Sequence, residues 1–117
     1  MPDGEQSGLA LMEIFTDREK QQLAGLRVRC FEMNRVDFVQ ANLRNARFEE
    51  VSLYGCDFSG ADLRGAEFIC CDLRRARFRG AFFACNNFTG SWFISATGVS
   101  PGLRRYIRER GGHFLYC

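Results

Sequence analysis

From residue 26 the chain repeats a five-residue pattern of apolar and polar positions. The blocks read LRVRC, FEMNR, VDFVQ, ANLRN, ARFEE, VSLYG, CDFSG, ADLRG, AEFIC, CDLRR, ARFRG, AFFAC, NNFTG and SWFIS. The third position is apolar in all fourteen, from Val28 to Phe93. The first is small or apolar in most, as at Ala41, Ala46, Val51, Cys56, Ala61, Ala66, Cys71, Ala76 and Ala81. The remaining positions are mostly polar. On an α-helix the apolar position would advance about 140° per block, so no face would stay apolar. On a strand, an odd repeat would send successive third positions to opposite faces. The pattern therefore predicts a chain that turns a corner every five residues, with first and third positions pointing inward. A fixed short period of this kind marks a solenoid.

The third positions also alternate. They run Phe38, Leu43, Phe48, Leu53, Phe58, Leu63, Phe68, Leu73, Phe78. If a coil has four walls, residues twenty apart stack. Phe38, Phe58 and Phe78 then form one column, and Phe48, Phe68 and Phe88 another. Leu43 stacks with Leu63, and Leu53 with Leu73. Three walls would mix Phe and Leu in every column, and two would enclose little core. Four walls give layers that fit one another, as a close-packed interior requires. The predicted core is this series together with Phe83, Phe88 and Phe93.

ANLRN, ADLRG, CDFSG and CDLRR are close to the consensus A-[DN]-L-x-x, and the chain closely resembles the pentapeptide-repeat family over about residues 26–95. The resemblance implies an all-β solenoid, the right-handed quadrilateral parallel β-helix with four blocks per coil. Fourteen blocks would make about three and a half coils. At roughly 4.8 Å per layer the shaft would be about 17 Å long. Val28 and the blocks NNFTG and SWFIS depart from the consensus and are expected to mark frayed ends.

The flanking segments, 1–25 and 96–117, are expected to be caps, because a solenoid leaves unpaired backbone at each end. Thr16-Asp17-Arg18-Glu19 matches a capping box and predicts a helix over 17–24 that stops at Gly25. Ahead of it, GLALMEIF could cover the first coil. The acidic balance of this segment (Asp3, Glu5, Glu13, Asp17 and Glu19 against Arg18 and Lys20) argues against a membrane-surface anchor. Ser100-Pro101 reads as N-cap and first helical residue. In PGLRRYIRER, Leu103, Tyr106 and Ile107 share one face, while Gly111-Gly112 ends the helix. The tail HFLYC would pack on the last coil or pair with another molecule. The resemblance also implies that C-terminal elements of this kind can form a homodimer.

Length and composition fit one domain of 117 residues with net charge +2. No apolar run approaches membrane-spanning length, and no leader pattern opens the chain. Cys56 and Cys71, at first positions, read as small core residues. Cys30, Cys70, Cys85 and Cys117 complete the set, and reduced thiols in a cytoplasmic protein are expected. Without a CxxC pair, and with Cys70 and Cys71 pointing to opposite sides of a wall, no metal site is predicted.

No catalytic constellation stands out, and no cofactor is implied. The single histidine, His113, lies in the tail. Asp37, Asp57, Asp62 and Asp72 all sit at second positions, which the consensus explains without catalysis. Gly55, Gly60, Gly65, Gly80 and Gly90 end blocks, where a corner calls for unusual backbone angles. Function is therefore expected on outward positions. Arg74, Arg75, Arg77 and Arg79 cluster in the third coil, balanced in part by Asp62, Glu67 and Asp72. Phe82, Ala84, Trp92 and Ile94 point outward near the end, either under the C-terminal helix or as a partner surface. The candidate interaction surface is Phe82, Trp92, Ile94, Arg74, Arg75, Arg77 and Arg79. The expected role is a non-enzymatic, rigid protein–protein interaction module. Two alternatives stand beside it. CDFSGADLRGAEF is similar to stretches of family members that protect DNA gyrase by resembling duplex DNA, a modulation of a type II topoisomerase. That role calls for a long acidic rod, whereas this chain has a pI near 8.3. The other alternative is nucleic-acid binding by the basic third coil, for which aromatic and basic residues interleave only sparsely.

Overall fold

The computed structural model describes residues 16–115. GLALMEIF and the last two residues of the tail lie outside them. The order of elements is α1 (Asp17–Lys20), β1 (Arg27–Arg29), β2 (Arg47–Glu49), β3 (Glu67–Ile69) and α2 (Pro101–Glu109). The three strands form one parallel sheet in register Val28–Phe48–Phe68. Single parallel bridges continue the same spacing on the other sides, for example Asp37 to Asp57 to Arg77 and Asn42 to Asp62 to Phe82. Residues twenty apart therefore stack, and four blocks complete one turn of a parallel β-helix.

Block 61–65 explains how so short a unit holds itself. The Ala61 N–H donates to Phe58 O across the preceding corner. Asp62 N–H donates backward to Ala41 O, and Leu63 and Gly65 donate forward to Phe82 O and Ala84 O. The Arg64 N–H, which points at no neighbouring coil, donates to the Asp62 carboxylate. All five amides are thus satisfied. Asp37, Asn42, Asp57, Asp72 and Asn87 receive the corresponding amide two residues on. Second-position Asp and Asn are Asx turns. The corner needs a positive φ at the fifth position. Glycine meets this at Gly65 (φ 76°), but Arg75 (φ 62°) and Asn45 (φ 61°) adopt it too.

The interior is filled. Phe38, Phe48, Phe58, Phe68, Phe78, Phe88 and Phe93, with Leu43, Leu53, Leu63 and Leu73, are fully buried. Phe58 stacks on Phe38 at 5.1 Å and on Phe78 at 5.4 Å. Phe48 and Phe68 stack at 5.1 Å, and Phe68 meets Phe58 edge-on at 5.8 Å. Stacks within a column and edges between columns are both favoured aromatic geometries. Phe83 is the exception, half-buried against Phe78, Phe88 and Tyr106, because no further coil lies on it. First-position polar groups stay inside by donating to a third-position carbonyl of the coil behind: Cys56 to Met33 O, Cys71 to Phe48 O, Asn86 to Leu63 O and Ser91 to Phe68 O.

The ends differ from the sequence expectation in two ways. The helix α1 has the capping box at Thr16 and Glu19 but ends at Lys20 rather than at residue 24. The Lys20 carbonyl, which would accept from residue 24 in a longer helix, accepts instead from the Asn42 N–H of the next coil. The blocks NNFTG and SWFIS are not frayed. Arg110 and His113 offer their carbonyls to the Phe88 and Phe93 amides, so the segment after α2 completes the ladder. Val28, at the other end, is half-buried yet paired with Phe48 of β2. On α2, Ser100 caps the helix through the Leu103 amide, and Ile107 is fully buried in the core cluster.

Candidate functional site

The outward residues of interest fall on columns, and the columns separate them. Arg74 and Arg75 occupy one corner, with Ile94 and Ser95 on top of them; the Arg75 N–H donates to Ile94 O. Arg77 stands on the adjacent wall, stacked on Asp57 and under Thr97. Phe82 lies on a further wall, over Asp62. It is 57% exposed, so α2 does not cover it. Trp92 is half-buried, with the His113 ring 4.9 Å from its own. The exposed Arg79 borders the far side of the Arg77 wall. The seven candidate residues therefore do not form one patch. Arg74, Arg75, Arg77 and Ile94 come together, and Trp92, on the same wall as Ile94, stacks over Asp72, the carboxylate that holds Arg74; Phe82 and Arg79 line neither hollow there.

Around that corner runs a groove of about 630 Å³. Its floor is Gly55, and Arg35 and Arg75 border it from the coils on either side. Asp37, Asp57 and Arg77 form one flank, and Tyr54 the other. A smaller hollow of about 300 Å³ between Tyr54, Arg74 and Ile94 adjoins it. A Cβ at position 55 would lie 3.3 Å from Arg35 Cγ, so the glycine lets the arginine stem lie down against the backbone. The Tyr54 ring has the Arg35 guanidinium 6.0 Å and the Arg74 guanidinium 5.5 Å from its centre. Its backbone is pinned by a hydrogen bond from its N–H to Asn34 Oδ1 at 3.1 Å. Arg35, Tyr54 and Asp57 are absent from the sequence-derived surface. The signal that places them is the twenty-residue spacing applied to outward positions as well as inward ones: it sets Arg35 in column with Gly55, Arg75 and Ser95, Tyr54 with Arg74 and Ile94, and Asp57 with Asp37 and Arg77.

Most charges here are matched locally. Arg74 forks onto both Asp72 oxygens at 2.8 Å. Arg64 does the same to Asp62 at 2.9 and 2.7 Å. Lys20, itself buried, holds Asp37 at 2.9 Å, and Arg77 lies 3.7 Å from Asp57. Hydrogen bonds from Arg64 hold the Asp62 carboxyl below its ordinary range. Burial pushes Asp72 and Asp37 up. Bonds from Arg74 in the first case, and from the Val39 amide and Lys20 in the second, outweigh it and leave both lowered.

A pH dependence follows. Carboxylates with lowered folded pKa stabilise the fold above their unfolded value of about 3.9, and that contribution is lost as pH falls through the folded values. The urea midpoint is expected to stay level from about pH 7 to pH 5 and to fall below about pH 4. In an Arg64→Ala, Arg74→Ala double variant the acid-side fall should be shallower. An equally steep fall in the variant would show that these pairs are not its source.

The thiols divide by position. Burial pushes Cys56 up to about 12 and Cys71 up to about 11, while Cys30, Cys70 and Cys85 are exposed. Among the described residues no group of His, Cys, Asp and Glu is placed to hold a metal ion. Among the same residues no helix is long and apolar enough to cross a membrane.

A family model of pentapeptide repeats matches the chain in eight copies, over residues 32–68 and 56–97. No curated protein matches it. Among solved structures it is similar to a pentapeptide repeat protein from the Arabidopsis thaliana thylakoid lumen, with 26% identity and a TM-score of 0.30, over 79% of this chain and 77% of that one. It is also similar to two trypsin-treated forms of QnrB1, a plasmid-mediated fluoroquinolone resistance protein. One is 19% identical with a TM-score of 0.34, over 64% of this chain and 59% of that one. The other is 15% identical with a TM-score of 0.30, over 66% and 69%.

Proposed function

We propose that this chain, which belongs to the pentapeptide-repeat family, is a non-enzymatic module that binds a protein partner through a rigid outer surface. In this reading residues 26–95 are a right-handed quadrilateral shaft of about three and a half coils, and 1–25 and 96–117 are its caps. The observation that carries the reading is the corner where Arg35, Tyr54, Arg74, Arg75, Arg77 and Ile94 converge beside the groove. Each is anchored on a backbone whose neighbours are fixed by the coil-to-coil ladder, so binding there orders little chain. Interfaces gain affinity when the surface is already in place. Arginine and aromatic side chains are also the residue types that anchor such contacts.

The test is affinity capture from the source cell's lysate, with mass-spectrometric identification. Wild-type protein is expected to retain a stoichiometric partner, Phe82→Ala to retain it equally, and an Arg75→Glu, Arg77→Glu double variant to lose it. No specific partner at low salt would count against the module reading. Gyrase among the captured proteins would favour the topoisomerase alternative, and nucleic acid in place of protein the basic-coil alternative.

A further inference from the structure

The charges around the groove are unevenly matched, and the imbalance has a definite geometry. Asp37 is engaged by Lys20, and Asp57 by Arg77. Arg35 and Arg75 have no carboxylate within ion-pair distance among the described residues; Arg35 has only the face of Tyr54. Both residues are exposed. They sit two layers apart in one column, on either side of Gly55. With about 4.8 Å per layer, that is roughly 10 Å.

We propose that this groove binds an acidic peptide in the polyproline II conformation, with carboxylates three residues apart on Arg35 and Arg75. The proposal rests on the protein-module reading and specifies its partner. A polyproline II helix has three residues per turn and rises about 3.1 Å per residue, so positions i and i+3 share a face about 9 Å apart. This matches the spacing of the two arginines, whose planar forks suit carboxylates. The intervening residues would lie over Gly55, where no side chain obstructs them. Prolines there would meet the Tyr54 side chain, whose backbone N–H donates to Asn34 and whose ring has the Arg35 and Arg74 guanidiniums beside it. Docking of proline-rich segments on aromatic faces is an established mode of recognition. A nucleic-acid strand fits less well. It carries a charge at every residue, so one of its phosphates would face Asp57 between the two arginines, and among the described residues that line the groove Tyr54 is the one aromatic ring to stack on.

The probe is a fluorescein-labelled peptide, Glu-Pro-Pro-Glu-Pro-Pro-Glu, followed by anisotropy at low salt. Binding is expected for the wild type. It should weaken roughly tenfold in an Arg35→Gln, Arg75→Gln variant, and remain unchanged in Arg44→Gln, a control at a different corner. All three proteins should share one thermal midpoint, since these side chains are exposed. Binding should also fall as salt is raised. Equal binding of the Gln-Pro-Pro-Gln-Pro-Pro-Gln peptide would overturn the proposal. So would equal binding by the double variant, or tighter binding of a single-stranded oligonucleotide. Lysate capture separates the two readings. A partner retained by the Arg35→Gln, Arg75→Gln variant overturns the peptide assignment and leaves the module standing; loss of every partner does not touch the peptide titration.

Discussion

Phe58→Ala is expected to destabilise the protein by about 3–5 kcal/mol, the range for removing a buried aromatic ring. Phe58 is fully buried. It is the middle ring of three, stacked on Phe38 at 5.1 Å and Phe78 at 5.4 Å, with the edge of Phe68 5.8 Å away. The cavity would open in the centre of the shaft. It could not easily close, because collapse would require two hydrogen-bonded coils to approach more closely than their ladder permits. Domains of this size are stable by about 5–15 kcal/mol, so one ring is a large share. Phe58→Leu keeps most of the volume and is expected to cost less than half as much. Urea unfolding followed by circular dichroism gives both values. A cost below about 1 kcal/mol for the alanine variant would mean that the column does not carry the fold.

Gly98→Ala is expected to be nearly as damaging, for a different reason. Gly98 lies where the chain leaves the last coil for α2, at φ 73°. A Cβ there would collide with the Arg79 backbone nitrogen and fall 2.7 Å from its Cα and 2.8 Å from the Phe78 carbonyl carbon. These are backbone atoms that no side-chain rotation can clear. The left-handed conformation alone costs a non-glycine residue roughly 1 kcal/mol, and the steric conflict adds to it, for a total of about 3 kcal/mol. Gly102→Ala is the comparison. It sits inside α2 with nothing within 4 Å of the added methyl, so it should stabilise by about 0.5–1 kcal/mol. Thermal midpoints should therefore move in opposite directions for the same chemical change four residues apart. Hydrogen exchange should place the Gly98→Ala loss first in the amides of Phe88 and Phe93, whose acceptors lie beyond α2. Midpoints moving the same way would refute the backbone-contact explanation.

The interior was legible because it is written in a strict period. Phe38 to Phe78 name both the inward direction and the number of walls, and the stacked rings follow. The Asx turns were visible only as a preference for Asp and Asn at second positions. Their cause, an amide with no coil to bond to, needs the backbone. The ends were harder. Propensity extends α1 past Lys20, but a tertiary hydrogen bond from Asn42 takes the carbonyl that would continue it. NNFTG and SWFIS depart from the repeat consensus, yet Arg110 and His113 supply the partners that a following coil would have supplied. The groove was read incompletely because its residues come from several blocks and share a corner rather than a coil. Grouping Arg74 to Arg79 by coil joined Arg79 to the cluster and omitted Arg35 and Tyr54.

The stacking interval also limits how such a chain can change length. Within the shaft, a block bonds to the coil behind through its second-position amide and to the coil ahead through its third- and fifth-position amides, as block 61–65 does. An added or deleted residue within a wall would exchange inside for outside along everything that follows. A five-residue change keeps inside and outside but rotates all later blocks by one wall, setting Leu under Phe and moving Arg75 off the column of Arg35. Only a change of twenty residues restores both the columns and the corners. The molecule's length is therefore quantised, and any surface made from side chains of successive coils can be inherited only in whole turns.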